Sequence, residues 1–489
     1  MGAALRRIQA GNALTAFGIG FTVPFLYIYV AQVRDLGSVW ATGAFIAFAL
    51  GALVALPFTG RVIDRRGPVP VVIGAAVAAS LGALSLGLAT GVLPILLSAL
   101  ALGAGQAVMQ PALATMIVWC STPATRTRAF ALQFFMQNLG LGIGGLLGGQ
   151  IVDENRPGSF TLLFGIEAVM FLVLAGVILS VRMPHSPAIK DALPKDPAQS
   201  AGSGWKKLLR HKAMVQLCVL GFVLFFACYG QFESGLAAFG TEAAGISPST
   251  LGFALAANTG AIVLAQFVVL KMVEKRRRSR VIALVGLIWT GAWVIAGFAG
   301  LGHGSSVMAA AAFITTYGLF GIGEAMLSPT LAPLVADLAP EGSVGQYNSA
   351  FALVKQMALA LGPLGVPLGA GLPMLYIGIF VTVSLGIAWL GLRLGKQLTA
   401  AQDNPWSVRA AKAPAVRRVE AEPGSPRRAG RESERDVRGP LLLERAPHVS
   451  LPPWCRRSIC PCPAGRTRTR RPCRRPGCGA SPRRRRWSR

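Results

Sequence analysis

Residues 103–113 read Gly-Ala-Gly-Gln-Ala-Val-Met-Gln-Pro-Ala-Leu, and residues 321–331 read Gly-Ile-Gly-Glu-Ala-Met-Leu-Ser-Pro-Thr-Leu. Gly103 answers to Gly321, Gly105 to Gly323, Pro111 to Pro329 and Leu113 to Leu331, with Gln106 opposite Glu324. The correspondence continues outward. After a three-residue insertion, Ala129-Phe130-Ala131-Leu132 returns as Ala350-Phe351-Ala352-Leu353, and the Gly60–Gly67 stretch has a charged counterpart in Leu270–Arg277. Self-similarity of this kind marks two copies of one structural unit.

The sequence between these signatures is apolar beyond the range of soluble domains. Of 489 residues, 53% are hydrophobic and 14% charged, where a soluble domain carries roughly a quarter charged residues. A membrane-crossing helix needs about 20 mostly apolar residues. That rule yields twelve segments, at 12–33, 39–60, 69–90, 93–120, 129–152, 160–181, 213–239, 251–273, 281–300, 306–336, 348–371 and 372–392. Arg6 and Arg7 ahead of the first apolar run imitate a secretory signal, but the run is long enough to span and holds no small-residue cleavage site, so it reads as the first membrane helix. The expected fold class is an all-α integral membrane protein of twelve transmembrane helices in two pseudo-symmetric six-helix halves. With six helices, an even number, in each half, the copies share one topology, so their symmetry axis runs along the membrane normal.

Loops rich in Lys and Arg stay in the cytoplasm. Arg6 and Arg7, Arg61 to Arg66, Arg126 and Arg128, Lys206 to Lys212, and Lys271 to Arg280 all fall on one side, which places both termini inside a cell membrane. The domain reading is a bundle over 1–182, a cytoplasmic linker over 183–212, a second bundle over 213–400 and an Arg/Pro-rich tail over 401–489. Residues 1–400 hold 25 basic and 13 acidic side chains, and residues 401–489 hold 23 and 7. The tail lacks apolar periodicity and is expected to be disordered, binding no nucleic acid. The eight cysteines form no paired extracellular framework, so no disulfide is expected.

Over nearly all of residues 1–400 the chain resembles the major facilitator superfamily. Gly60, Asp64, Arg65 and Gly67 match that family's loop signature, although Val69 and Pro70 stand where it has two basic residues. Gly140, Gly144, Gly148 and Gly149 resemble the glycine pattern of its proton-antiporter, drug-efflux branch, with Gly145 at a usual proline. Ala99 occupies the place of the arginine that the family often carries early in the fourth helix. The resemblance implies a secondary transporter with a central cavity bordered by the tenth and eleventh helices.

The residues themselves support a physical reading. Asp64 lies at the cytoplasmic edge, where helix N-termini offer unpaired amides and partial positive charge. Its expected partners are the start of the eleventh helix near Tyr347 to Ser349 and Arg126 or Arg128; by the repeat, Glu274 is expected at the start of the fifth helix near Thr127. These contacts would make and break as the halves rock. The bland reading, that the charges only set topology, fits Arg276 to Arg278 better than an acid. The spacing of four at Gly140, Gly144 and Gly148 gives one face on which a neighbour approaches closely. Ordinary packing, or a hinge between halves, follows from that.

Charges deep in the membrane are the sharpest signal. Glu324 lies about 13 residues before Asp337, and Lys355 about 9 after the helix start near Gln346, which puts both near mid-membrane at 1.5 Å per residue. Each costs roughly 2.5 to 3.5 kcal/mol if it faces lipid, so they face each other, a polar cavity, or both. Gln106, Gln110, Gln137, Asn138, Asn258 and Gln356 supply further polar groups, with Gln133 and Gln266. Glu167 and Glu233 read as lying nearer the outer face. A structural ion pair is the competing reading for Glu324 and Lys355.

An ATP-driven pump needs a phosphate-binding loop that the sequence lacks, and an intramembrane hydrolase needs a base, whereas His185, His211, His303 and His448 fall in loops or tail. The expectation is therefore a carrier, not an enzyme, that uses no cofactor and no metal. It works by alternating access, with a small-molecule substrate, the proton as coupling ion and lipid as surroundings. Efflux of amphipathic compounds is the first reading, and an uptake carrier or uniporter for a sugar or other metabolite is the alternative.

Overall fold

A computed structural model describes residues 2–123, 125–153, 156–183, 203–232, 234–300 and 306–406. Most of the expected linker, residues 184–202, and the tail from 407 lie outside the described residues, as does Glu233. The described chain is helical without a β-strand. Its long helices are α1 Ala3–Gly20, α2 Gly37–Arg66, α3 Pro68–Leu88, α4 Val92–Trp119, α5 Arg126–Ile151 and α6 Pro157–Leu179 in the first half. The second half has α7 Lys212–Ala227, α8 Pro248–Val273, α9 Arg278–Gly300, α10 Ser306–Leu338, α11 Val344–Ala360 and α12 Pro373–Gly395.

Among the described residues, eleven helical segments are long and apolar enough to cross a membrane. Continuity breaks in the first segment, in α7 and after α11, where a 3-10 turn at Gly362–Gly365 leads into Val366–Gly371. After α1 the chain passes through a 3-10 turn at Val23–Phe25, a short helix at Leu26–Ile28 and a π-helical turn at Tyr29–Val33, so the twelfth expected span is an interrupted helix. Its counterpart α7 is interrupted too, through Tyr229–Phe232 and Gly235–Ala238 to a π-helical turn at Phe239–Ala243. Breaks of this kind free carbonyls that need donors. Gln231 supplies them, donating to Phe226 O at 3.2 Å and to Gly362 O at 3.3 Å.

The repeat is visible in packing as well as in sequence. A Cβ on Gly103 would meet Phe48 O of α2 at 2.1 Å, and one on Gly105 would meet Ala75 O of α3 at 2.7 Å. In the second half, Gly321 would meet Asn258 O of α8 at 2.5 Å and Gly323 the Trp289 indole of α9 at 2.1 Å. The two glycines thus let α4 and α10 each pass between the second and third helices of their own half. Each half carries its own core, around Tyr29, Phe160, Phe164 and Phe171 in the first and Trp289, Trp293, Phe320 and Tyr376 in the second. The outward faces are apolar: Leu146 is 75% and Leu264 81% exposed, which suits a lipid surround and no other solvent.

Two short helices extend the bundle. Ser203–Arg210 lies in the segment read as linker, and its Trp205 indole donates to Pro57 O of α2 at 3.3 Å. Ala400–Asp403 falls where the sequence reading began the tail. Thr399 caps it, and Asp403 is buried, accepting from the Ser279 amide at 2.9 Å. The bundle's contacts therefore run past residue 400.

Candidate functional site

Asp64 stands near the end of α2 facing the start of α11. Its Oδ1 accepts from the Gly345 amide at 2.7 Å and its Oδ2 from the Gln346 amide at 3.0 Å. Those amides belong to the first turn of α11, where no carbonyl of the helix reaches them. Close fit matters here: a Cβ on Gly60 would lie 2.6 Å from Gln346 Cα, and one on Gly345 would lie 2.6 Å from Asp64 Oδ1. Gly67 ends α2 with φ +83°, a conformation that favours glycine. Arg65 is exposed at the same helix end.

Arg126 and Arg128 do not join Asp64. Arg126 pairs with Asp337 at the end of α10, whose other oxygen receives Arg278 Nη1 at 2.7 Å. Arg128 Nη2 lies 3.0 Å from Glu274 Oε2. Asp64, Arg126 and Arg128 thus each bind the opposite half, all on one side of the bundle. Glu274, at the C-terminal end of α8, receives the guanidinium of Arg128 from the first turn of α5. Arg278, grouped in the sequence with topology-setting charges, is buried at 4% exposure and donates to Asp337 and to Gln402 O.

The glycine face of α5 turns away from the other half. Cβ atoms on Gly140 and Gly144 would meet Ala13 O at 2.5 Å and Phe17 O at 2.1 Å, and one on Gly148 would lie 2.8 Å from the Phe25 ring. All three contacts are with the first segment of the same half, which is close packing within one bundle, and not a face between halves. Gly149 sits off this face, 3.9 Å from Phe25. The opposite face of α5 meets α8, through the Phe135–Phe267 ring contact at 5.0 Å and Gly142 beside Thr259.

A cavity of about 230 Å³ lies between the halves. Gln110, Gln137, Lys355 and Gln356 line it, together with Gln133 and the rings of Phe130, Phe134, Phe225 and Phe351. The halves meet at its wall: Asn348 Nδ2 donates to Thr115 Oγ1 at 3.1 Å, and Ser328 Oγ to Phe130 O at 3.3 Å. Asn138 is spent within α5, donating to Phe134 O at 2.9 Å.

Glu324 and Lys355 are neighbours that do not form a direct ion pair among the described residues. Glu324 is 3% exposed and receives Asn258 Nδ2 at 2.8 Å, with Tyr229 close by. Lys355 Nζ sits over the rings of Phe225 and Tyr229, 5.4 and 5.5 Å from their centroids. Tyr229 is therefore a neighbour of both charges, with its ring face toward Lys355. The interruption of α7 just before it, at Cys228, puts it there. An aromatic in an apolar run carries no mark of such a role, and sequence reasoning passed over it.

Glu167 corrects another expectation. It is fully buried, and Gln106 Nε2 donates to its Oε1 at 3.1 Å. Gln106, the counterpart of Glu324, thus binds a carboxylate in its own half. Counting ten residues from the start of α6 at Pro157 gives about 15 Å of rise, which would have placed Glu167 deep. Among the described residues no cluster of His, Cys, Asp and Glu has the arrangement of a metal site.

Two helical halves enclosing a polar cavity, joined by contacts suited to making and breaking, define a membrane transporter. Residues 9–363 match the sequence profile of the Major Facilitator Superfamily, and the chain belongs to that family. It is 25% identical over 395 residues to Multidrug resistance protein 2 of Bacillus subtilis, covering 78% of this chain and 93% of that one. Two solved structures share the fold at 16% identity. The transporter FucP in its outward conformation superposes with a TM-score of 0.65 over 81% of this chain and 99% of its own. The human organic anion transporter MFSD10 gives 0.62 over 80% and 100%.

Proposed function

We propose that the protein exports amphipathic small molecules across the plasma or inner membrane in exchange for protons, with both termini in the cytoplasm. The observation that carries this reading is the Glu324–Tyr229–Lys355 arrangement beside the cavity. The proton affinity of a carboxyl depends on its burial and on a nearby ammonium. Protonating Glu324 removes its negative charge and turns one carboxyl oxygen into a donor, which weakens the hydrogen bond from Asn258 and alters the field at Lys355 on the cavity wall. A proton bound more tightly in one state than in the other shifts the balance between states, and only such a difference can do so. Asp64, Arg126, Arg128 and Glu274 form the switch on the cytoplasmic side, Gln110, Gln137 and Gln356 meet the substrate, and the halves as seen are closed on the Asp64 side. The likeness to a multidrug resistance protein favours amphipathic cargo and export over uptake.

The test is transport of an amphipathic dye by purified protein in liposomes under an imposed pH gradient. Wild type should accelerate when the gradient is applied, whereas Glu324→Gln should lose gradient-driven transport and retain exchange of internal for external dye. A variant driven by the gradient like wild type would overturn the role of Glu324. Wild-type transport unchanged by a protonophore would favour the uniporter.

A further inference from the structure

We infer that the cavity takes an organic anion, an aromatic or aliphatic body carrying one carboxylate or similar group, with Lys355 as its countercharge. This rests on reading the cavity as the substrate site and names the class of molecule that site accepts.

The charge on the cavity wall has one sign. Lys355 is the ionisable side chain that lines it, and the other polar groups there are amides and a hydroxyl. The two deep carboxylates nearby are both withdrawn from the wall. Glu324 is held by Asn258, and Glu167 lies in the core of the first half against Gln106. Among the described residues lining the cavity, a cationic guest would find an ammonium and no acid to receive it.

Lys355 itself is incompletely matched. No carboxylate lies within ion-pair distance among the described residues, and its close partners are the faces of Phe225 and Tyr229. Ring faces attract a cation but carry no net charge to neutralise it. An anion entering the cavity reaches the ammonium, which is accessible there, and supplies that charge. The amides of Gln110, Gln137 and Gln356 can turn their N–H groups toward the same anion, since a carboxamide offers two donors. Phe130, Phe134 and Phe351 give its apolar body a matching wall. An ammonium whose neighbouring carboxylate, Glu324, stays beyond ion-pair distance among the described residues, on the wall of a cavity otherwise built of amides and rings, is the arrangement expected of an anion site.

Three probes of one shape and different charge test this: 2-naphthoate, 2-naphthamide and 2-naphthylmethylammonium, measured by equilibrium dialysis against full-length protein in lipid nanodiscs with no gradient. Naphthoate should bind about tenfold or more tightly than the amide, the scale of a charge-assisted hydrogen bond in place of a neutral one, and the cation should bind weakest. Lys355→Gln should abolish the naphthoate preference, and Lys355→Arg should keep most of it. The difference between wild type and Lys355→Gln cancels partition into lipid, and thermal melting checks that each variant is folded. Equal binding of all three probes, preference for the cation, or a naphthoate preference that survives Lys355→Gln would overturn the inference. Because no gradient is used, naphthoate selectivity in a protein whose transport ignores protons would sink the coupling reading and keep this one. Proton-driven transport with a preference for the cation would do the reverse.

Discussion

Asp64 uses both carboxylate oxygens on consecutive backbone amides, a task that no neutral side chain performs as well. Asparagine has the shape but one acceptor oxygen, and it lacks the charge that the helix start favours. The Asp64→Asn change should weaken closure by about 1–2 kcal/mol, the difference between charged and neutral hydrogen bonds, which moves the balance of states roughly 5- to 30-fold. Distances between spin labels at the Asp64-side ends of α2 and α11 would read this as a larger open population, with membrane insertion unchanged. An unaltered distance distribution would refute it. Asp64 was legible in the sequence because an acid at a helix end, in a loop of basic residues, has no topological purpose. Tyr229 was not, since its role depends on a helix break and on two partners remote in sequence. Glu167 reads as shallow in the sequence because the apolar run begins at Phe160, seven residues before it, whereas α6 begins at Pro157.

Among the elements, the short helix Ala400–Asp403 changes where the functional chain ends. Asp403 accepts from the Ser279 amide in the first turn of α9, Gln402 O accepts from Arg278, and Gln402 Nε2 donates to Asp337 O. Lys275 lies over the Trp406 ring, 5.9 Å from its centroid. A chain ending after Trp406 keeps these contacts and should transport and melt like the full-length protein. A chain ending after Lys396 strands the Ser279 amide, a loss comparable to removing a helix cap, which costs about 0.5–2 kcal/mol. It should melt at a lower temperature in detergent than the 406-residue chain, and equal melting would show the helix to be idle. The spans were readable from apolar length alone, because lipid permits little else than helices. The breaks in α1 and α7 were not. A hydropathy run stays continuous where the backbone turns from α to 3-10 or π geometry, and the donors that make the break tolerable, such as Gln231, are set by tertiary contact.

At the scale of the whole molecule the halves are held on the Asp64 side by three contacts of unequal worth. The Arg128–Glu274 pair has its guanidinium 57% exposed, and exposed pairs contribute at most about 1 kcal/mol. Asp337 differs, with its side chain 13% exposed between Arg126 at 12% and Arg278 at 4%. One of its partners comes from the opposite half and one from its own, so the same carboxylate both closes the carrier and seats α9. Removing one member of a buried ionic group leaves the others uncompensated, a loss of about 3–5 kcal/mol. Asp337→Asn should therefore reduce folded protein and open the Asp64 side together, the largest effect of any single change in this set. The two roles separate in the arginines. Arg126→Gln should enlarge the open population while leaving the melting temperature within a few degrees, because it removes an inter-half bond, whereas Arg278→Gln should lower the melting temperature first. Glu274→Gln should do little to either. Spin-label distances and thermal melting on the four variants give the ranking directly. If Arg126→Gln and Glu274→Gln shift the distances equally, burial does not decide which contact closes the molecule, and the special place given to Asp337 is wrong.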